Sequence, residues 1–168
     1  MVRSLPIINL IRPLLYGLAL IIWLVPEYAS AQIVVVVPDK SPLDSLSFKE
    51  VQKVFKGQPI DKVEEPPQVV EYAPAGDAFY QMLYDLTAYA MGKHWLRMIF
   101  SGQRVRPPKS FTEVDRLVKY MAEHENTIGF LPRELFEHLE DSPIRAVVID
   151  GFRYDHPQYA FKSPPEEP

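Results

Sequence analysis

The chain of 168 residues contains no cysteine. Thiol nucleophiles, disulfides and cysteine metal sites are excluded, so the fold must be held by packing alone. The chain also lacks an excess of positive charge: 18 Lys and Arg stand against 22 Asp and Glu, a formal net charge of -4. Nucleic-acid binding wants a basic face to meet phosphates, so no nucleic-acid partner is expected. There is no G-x-S-x-G elbow, and Ser41, Ser45, Ser47, Ser101 and Ser110 sit in loop or cap contexts where serine serves hydrogen bonding; no catalytic residue is expected, and the protein reads as a non-enzyme. His124 between Glu123 and Glu125, and His138 beside Glu137 and Glu140, lack H-E-x-x-H spacing, so neither a metal nor another cofactor is expected. No internal repeat is present.

What is present begins with a leader. Arg3 and Arg12 give a positive start, Leu14 to Val25 is apolar apart from glycine, and Ala29-Ser30-Ala31 follows Pro26 as a small-x-small exit. A charged start, an apolar stretch of roughly 7–15 residues and an A-x-A end mark a secretory signal. Residues 1–31 are therefore read as a signal peptide cleaved between Ala31 and Gln32. The rival reading, an uncleaved anchor, needs about 20 apolar residues in a row, and Arg12 and Pro13 interrupt the run. The expected location is periplasmic. Residues 32–161 form one domain, and the proline- and acid-rich 162–168 a flexible tail.

Within the domain, Ile33 to Val37 is aliphatic without alternation, which predicts a strand covered on both faces. Ser47 followed by Glu50 is a capping box opening a helix to Lys56, with Phe48, Val51, Val54 and Phe55 on one face and Gly57 as its stop. Gln68–Tyr72 reads as a strand, Asp77–Leu86 and about Ala88–Phe100 as helices. Ser110 or Thr112 starts a further helix to Ala122; Thr127–Leu131 is a strand, Arg133–Leu139 a short helix and Ile144–Ile149 the last strand. Beyond Gly151 the chain reads as loosely attached. Strands alternating with helices predict an α/β domain with a mainly parallel or mixed sheet. The expected core includes Val35, Val51, Phe55, Phe79, Leu83, Trp95, Leu117, Met121, Ile128 and Val147. The aromatic set Tyr72, Phe79, Tyr80, Tyr84, Tyr89, Trp95 and Phe100 is dense. Packing explains Phe79 and Trp95 first, and exposed tyrosines on the other helix face would form a contact patch.

Four ordered stretches carry a resemblance. They are Ile33-Val-Val-Val-Val-Pro38 with Leu46-Ser-Phe-Lys-Glu-Val-Gln-Lys-Val-Phe-Lys-Gly57; Ala78-Phe79-Tyr80 with Trp95, Ile99-Phe-Ser-Gly102 and Pro107-Pro108; Thr127-Ile-Gly-Phe-Leu-Pro132; and Ile144 to Gly151 with Tyr159. In this order they resemble the phosphate-binding component of ABC-type phosphate uptake systems. The resemblance implies a periplasmic-binding-protein type II-like sheet flanked by helices, with a truncated first lobe.

Members that bind phosphate use a Ser-Gly-Thr-like turn at a helix start, with an arginine just before it. The matching residues here are Ala75-Gly76-Asp77, with Glu71 upstream. Backbone N–H groups at a helix start attract an anion, whereas Asp77 there reads as a structural cap of its own helix. Arg104 and Arg106, in the loop after Gly102, are the forked donors that the resemblance brings toward the same cleft. The candidate ligand-binding residues are thus Gly76, Asp77, Arg104 and Arg106. Two functions follow from the resemblance. One is an exported solute-binding-protein-like domain taking phosphate or another small oxyanion, with an inner-membrane permease as partner. The other is an accessory or sensory module that keeps the fold, binds no ligand and contacts an envelope protein.

Overall fold

Five consecutive aliphatic residues have no polar face to give to water, and the structure covers both of their sides. The computed structural model describes residues 32–139 and 141–161; the expected leader and tail lie outside them. Strand β1 (Ile33–Pro38) is buried along its whole length. It is followed by β2 (Ser45–Leu46), α1 (Phe48–Val54), β3 (Gln68–Tyr72), a 3-10 turn (Ala73–Ala75), α2 (Gly76–Tyr84) and α3 (Ala88–Phe100). Then come β4 (Lys109–Phe111), α4 (Val114–Glu123), β5 (Thr127–Pro132), α5 (Arg133–Glu137), β6 (Ile144–Ala146) and β7 (Val148–Ile149).

The main sheet has the order β4-β3-β5-β1-β6. Strands β4, β3 and β5 run parallel, with Val69 opposite Ile128 and Val70 opposite Gly129. Strand β1 runs against both neighbours, with Val35 opposite Phe130 and Val36 opposite Ala146. The sheet is thus mixed, with β1 alone reversed. A second, two-stranded sheet pairs β2 with β7 in parallel.

Because side chains alternate along a strand, β1 feeds two cores. Ile33, Val35 and Val37 join Val69, Ile128 and Phe130 under Val51, Phe55, Phe79 and Leu83 of the α1–α2 layer. Val34 and Val36 join Val70, Leu131 and Ile144 under Leu117 and Met121 of α4. Phe79 stacks on Phe130 with centroids 4.0 Å apart, and Phe55 and Phe161 close around it at 4.7 and 5.3 Å. All ten expected core residues are buried. At Gly129 a Cβ would meet the Val70 carbonyl oxygen at 2.8 Å, so only glycine lets β3 lie this close.

The capping box forms as expected: Ser47 Oγ accepts from Glu50 N–H at 3.2 Å and Glu50 Oε2 accepts from Ser47 N–H at 2.7 Å. Three expectations are corrected. Lys109–Phe111 is an edge strand, and the helix after it begins at Val114. The last strand is broken at Val147, whose side chain goes into the core while its N–H bonds to Val35 O at 2.9 Å. The segment after Gly151 is not loosely attached up to 161: Tyr159 and Phe161 are buried, Ile33 N–H donates to Phe161 O at 3.0 Å, and Val35 N–H donates to the Tyr159 hydroxyl at 3.2 Å. No helix among the described residues is long and apolar enough to cross a membrane.

Gly57 ties α3 to this body. Its φ is +72°, and a Cβ there would stand 2.6 Å from the Trp95 ring. Gly57→Ala should therefore lower stability by about 2–3 kcal/mol, combining left-handed backbone strain with overpacking. Gly92→Ala, on an open helix surface with nothing within 4 Å, should raise it by up to about 1 kcal/mol. Urea unfolding of both variants checks this; an unchanged midpoint for Gly57→Ala would contradict the Trp95 packing.

Candidate anion site

Strand β3 delivers the chain to the turn where an anion would be held, and the residues it delivers are acidic. Pro74 favours the 3-10 turn, and α2 follows with Ala75 as its N-cap residue, which offers no side-chain cap. Gly76 is buried, and a Cβ there would touch the Ala88 side chain at 3.3 Å, so the starts of α2 and α3 lie against each other. Asp77 uses this proximity. Its Oδ1 accepts from Ala88 N–H at 2.8 Å, while Thr87 Oγ1 accepts from Ala90 N–H at 3.2 Å. Asp77 therefore caps the start of α3 and not its own helix, correcting the local-cap expectation.

Glu71 stands upstream on β3 and accepts a hydrogen bond from the Tyr80 hydroxyl of α2. Burial raises the Glu71 carboxyl above its ordinary 4.5, with the Tyr80 bond opposing the shift. Burial, reinforced by the Glu71 charge, pushes the Tyr80 hydroxyl far above its ordinary range, and burial alone does the same for Tyr84. Tyr84 donates to Gln52 O at 2.5 Å, and Gln52 Nε2 donates to Leu83 O at 2.8 Å, locking α2 onto α1. Two carboxylates with internal partners thus flank the turn. An ionised carboxylate there adds electrostatic cost to an incoming anion, screened more by solvent at the exposed Asp77 than at the partly buried Glu71.

The arginines are elsewhere. Arg106 pairs with Glu65 at 3.6 Å, and Gln68 Nε2 donates to Pro107 O at 2.8 Å, which fixes this loop at the N-terminal end of β3. Gly76 and Asp77 follow the C-terminal end of the same strand. The five residues of β3 at about 3.3 Å each separate the two groups by roughly 16 Å. Arg104 and Arg106 instead share a cavity of about 90 Å³ with Pro66, Val69 and Trp95. The structure brings Gly76 and Asp77 together, and Arg104 and Arg106 together, but does not bring the two pairs into one cleft as the resemblance implied.

His124 Nδ1 lies 2.8 Å from Tyr120 O and His138 Nδ1 lies 2.6 Å from Glu134 O, each on its own helix. Among the described residues no group of three His, Asp or Glu is placed to hold a metal. Sequence reasoning missed the Glu71–Tyr80 pair. Its signal was present, since Glu71 on a predicted strand faces the same side as Val69.

Neither family models nor curated proteins match this sequence. Solved structures do match in fold. One is a putative phosphate ABC transporter substrate-binding protein with bound phosphate from Clostridium perfringens, at TM-score 0.53 and 16% identity over 74% of this chain and 47% of that one. Another is an ABC-type phosphate transport receptor from Vibrio cholerae, at TM-score 0.51 and 12% identity over 71% and 46%. A third is a possible phosphate binding protein from Planctomyces limnophilus DSM 3776, at TM-score 0.50 and 14% identity over 71% and 41%.

The raised Glu71 carboxyl makes a signed prediction. A carboxyl that holds its proton more tightly when folded makes stability fall as pH rises from its unfolded value, near 4.5, through its higher folded value. Glu71→Gln removes that loss while keeping an acceptor for Tyr80. The variant's stability gain over wild type should be negligible below pH 4.5 and grow as pH rises toward neutrality, read by urea unfolding at several pH values. A gain that shrinks with rising pH would contradict the assignment.

The chain spans less than half the length of these solved structures, and over that length it has the α/β fold of phosphate-binding substrate-binding proteins.

Proposed function

We propose that this chain is an exported interaction module of the cell envelope, built on a substrate-binding-protein fold and not working as a free-standing phosphate receptor. The observation that carries the reading is the β3–α2 turn. Glu71, on the strand before the turn, and Asp77, in the first turn of α2, are each already bonded within the protein, to Tyr80 and to Ala88 N–H. The cationic groups that would offset them, Arg104 and Arg106, belong to the other end of β3. Export rests on the leader, with its apolar run and the Ala29-Ser30-Ala31 exit before Gln32. The partner on this reading is an envelope component, an inner-membrane permease among the candidates.

A second reading keeps the solute-binding role for phosphate or another small oxyanion. It is supported by the fold shared with proteins described as phosphate-binding and by the glycine-started α2, whose first-turn N–H groups beyond Gly76, which itself donates to Ala73 O, would be the donors. Calorimetric titration of the chain and of Asp77→Thr with phosphate, sulfate and phosphonate separates the two. On the first reading neither protein gives saturable heat. Binding by wild type that strengthens in Asp77→Thr would instead establish the second.

A further inference from the structure

Every large hydrophobic side chain that stands exposed among the described residues falls in one segment: Leu86, Tyr89, Leu96, Ile99 and Phe100. Four of them belong to α3. At 3.6 residues per turn, Tyr89, Leu96 and Phe100 project within about 40° of one another, with Gly92 and Ile99 alongside. These side chains stand proud of the surface, Phe100 at 85% and Tyr89 at 73% exposure. The opposite side of α3 holds the helix to the body through Met91 and Trp95.

The same segment is set apart in charge. From Leu86 to Thr112 there is no Asp or Glu, while Lys93, Arg97, Arg104, Arg106 and Lys109 all fall within it, in a chain whose net charge is -4. Arg106 faces Glu65, and Lys93 and Lys109 lie over the rings of Tyr89 and Tyr120 at 4.6 and 4.0 Å. Arg97 and Arg104 have no ion-pair partner among the described residues. A groove of about 510 Å³ beside the helix is lined by Lys56, Lys93, His94 and Arg97 with no carboxylate.

We propose that this face of α3, with the loop leading to β4, docks on an anionic lipid surface. The tips of Tyr89, Leu96, Ile99 and Phe100 enter the headgroup boundary, and Lys93, Arg97 and Arg104 meet lipid phosphates. Apolar and aromatic tips beside an unneutralised basic flank are what an interfacial helix needs. A second copy of the chain fits poorly, because it would set Lys93 and Arg97 against their own kind. A lipid surface accepts separate protruding tips without needing a matching groove. The proposal names the partner of the interaction module and rests on that reading.

The absence of cysteine gives a clean test. The chain from Gln32 onward, the product expected after leader cleavage, carrying Gly92→Cys with an environment-sensitive fluorophore on that open position, is mixed with vesicles of phosphatidylglycerol and phosphatidylcholine in equal parts, or of phosphatidylcholine alone. The label should shift to the blue with the anionic vesicles only, and high salt should reverse the shift. Leu96→Ser/Phe100→Ser, and separately Arg97→Gln/Arg104→Gln, should each weaken vesicle binding about tenfold or more. All four side chains are exposed, so thermal unfolding should be unchanged in both variants. No shift with anionic vesicles, or an equal shift with neutral ones, overturns the proposal. A shift with polyglutamate but not with vesicles overturns it in favour of an acidic protein, and a concentration-dependent shift without vesicles overturns it in favour of self-association. Either result leaves the interaction-module reading standing, since that reading fails only on saturable phosphate binding.

Discussion

The structure depends on covering both faces of β1. A strand reading Ile-Val-Val-Val-Val offers no side to water, and each side chain buried is worth roughly 1.5–3 kcal/mol against leaving it exposed. One face requires the α1–α2 layer and the other requires α4. Antiparallel pairing of β1 with β5 and β6 then fixes where the parallel strands β3 and β4 lie, and hence where the turn after β3 opens. Phe79, stacked on Phe130 over this sheet, sets the position of α2. The start of α2 is the would-be anion site, so its geometry is a consequence of the core.

We propose that the acidic groups around that turn serve the protein's own packing. In a turn built for an oxyanion, the groups at the helix start must be left free for the ligand. Here Asp77 ties the start of α3 to α2, and Glu71 is held by Tyr80. The bonds that stabilise the α2–α3 corner are the ones that place negative charge around it. The acidic corner and the basic, apolar α3 face are therefore separate features, the first serving packing and the second facing outward.

Most of the fold was legible in the sequence because it rests on local signals. The Ser47–Glu50 capping box, the aliphatic run of β1 and the helical spacing of Phe79, Met82 and Leu83 each determine structure within a few residues. What escaped was non-local. Lys109–Phe111 is too short and polar to read as a strand, and it becomes one only by pairing with Val70–Tyr72. The segment after Gly151 reads as a loose end, yet Tyr159 and Phe161 close the aromatic cluster around Phe79. The candidate site was legible only in part for the same reason. Gly76 and Asp77 could be placed at a helix start from sequence, but their separation from Arg104 and Arg106 follows from which end of β3 each loop meets. Asp77 was legible as a cap; that it caps the neighbouring helix was not.

We propose that the β3–α2 turn is closed to anions by its own carboxylates. Amide spectra of the isotopically labelled chain, recorded as inorganic phosphate is added, test it at the atoms concerned. The account predicts no saturable shift at the N–H groups of Gly76, Asp77 and Ala78, at low or at high phosphate. A saturable shift centred on those three amides, lost when the phosphate is removed, would contradict it.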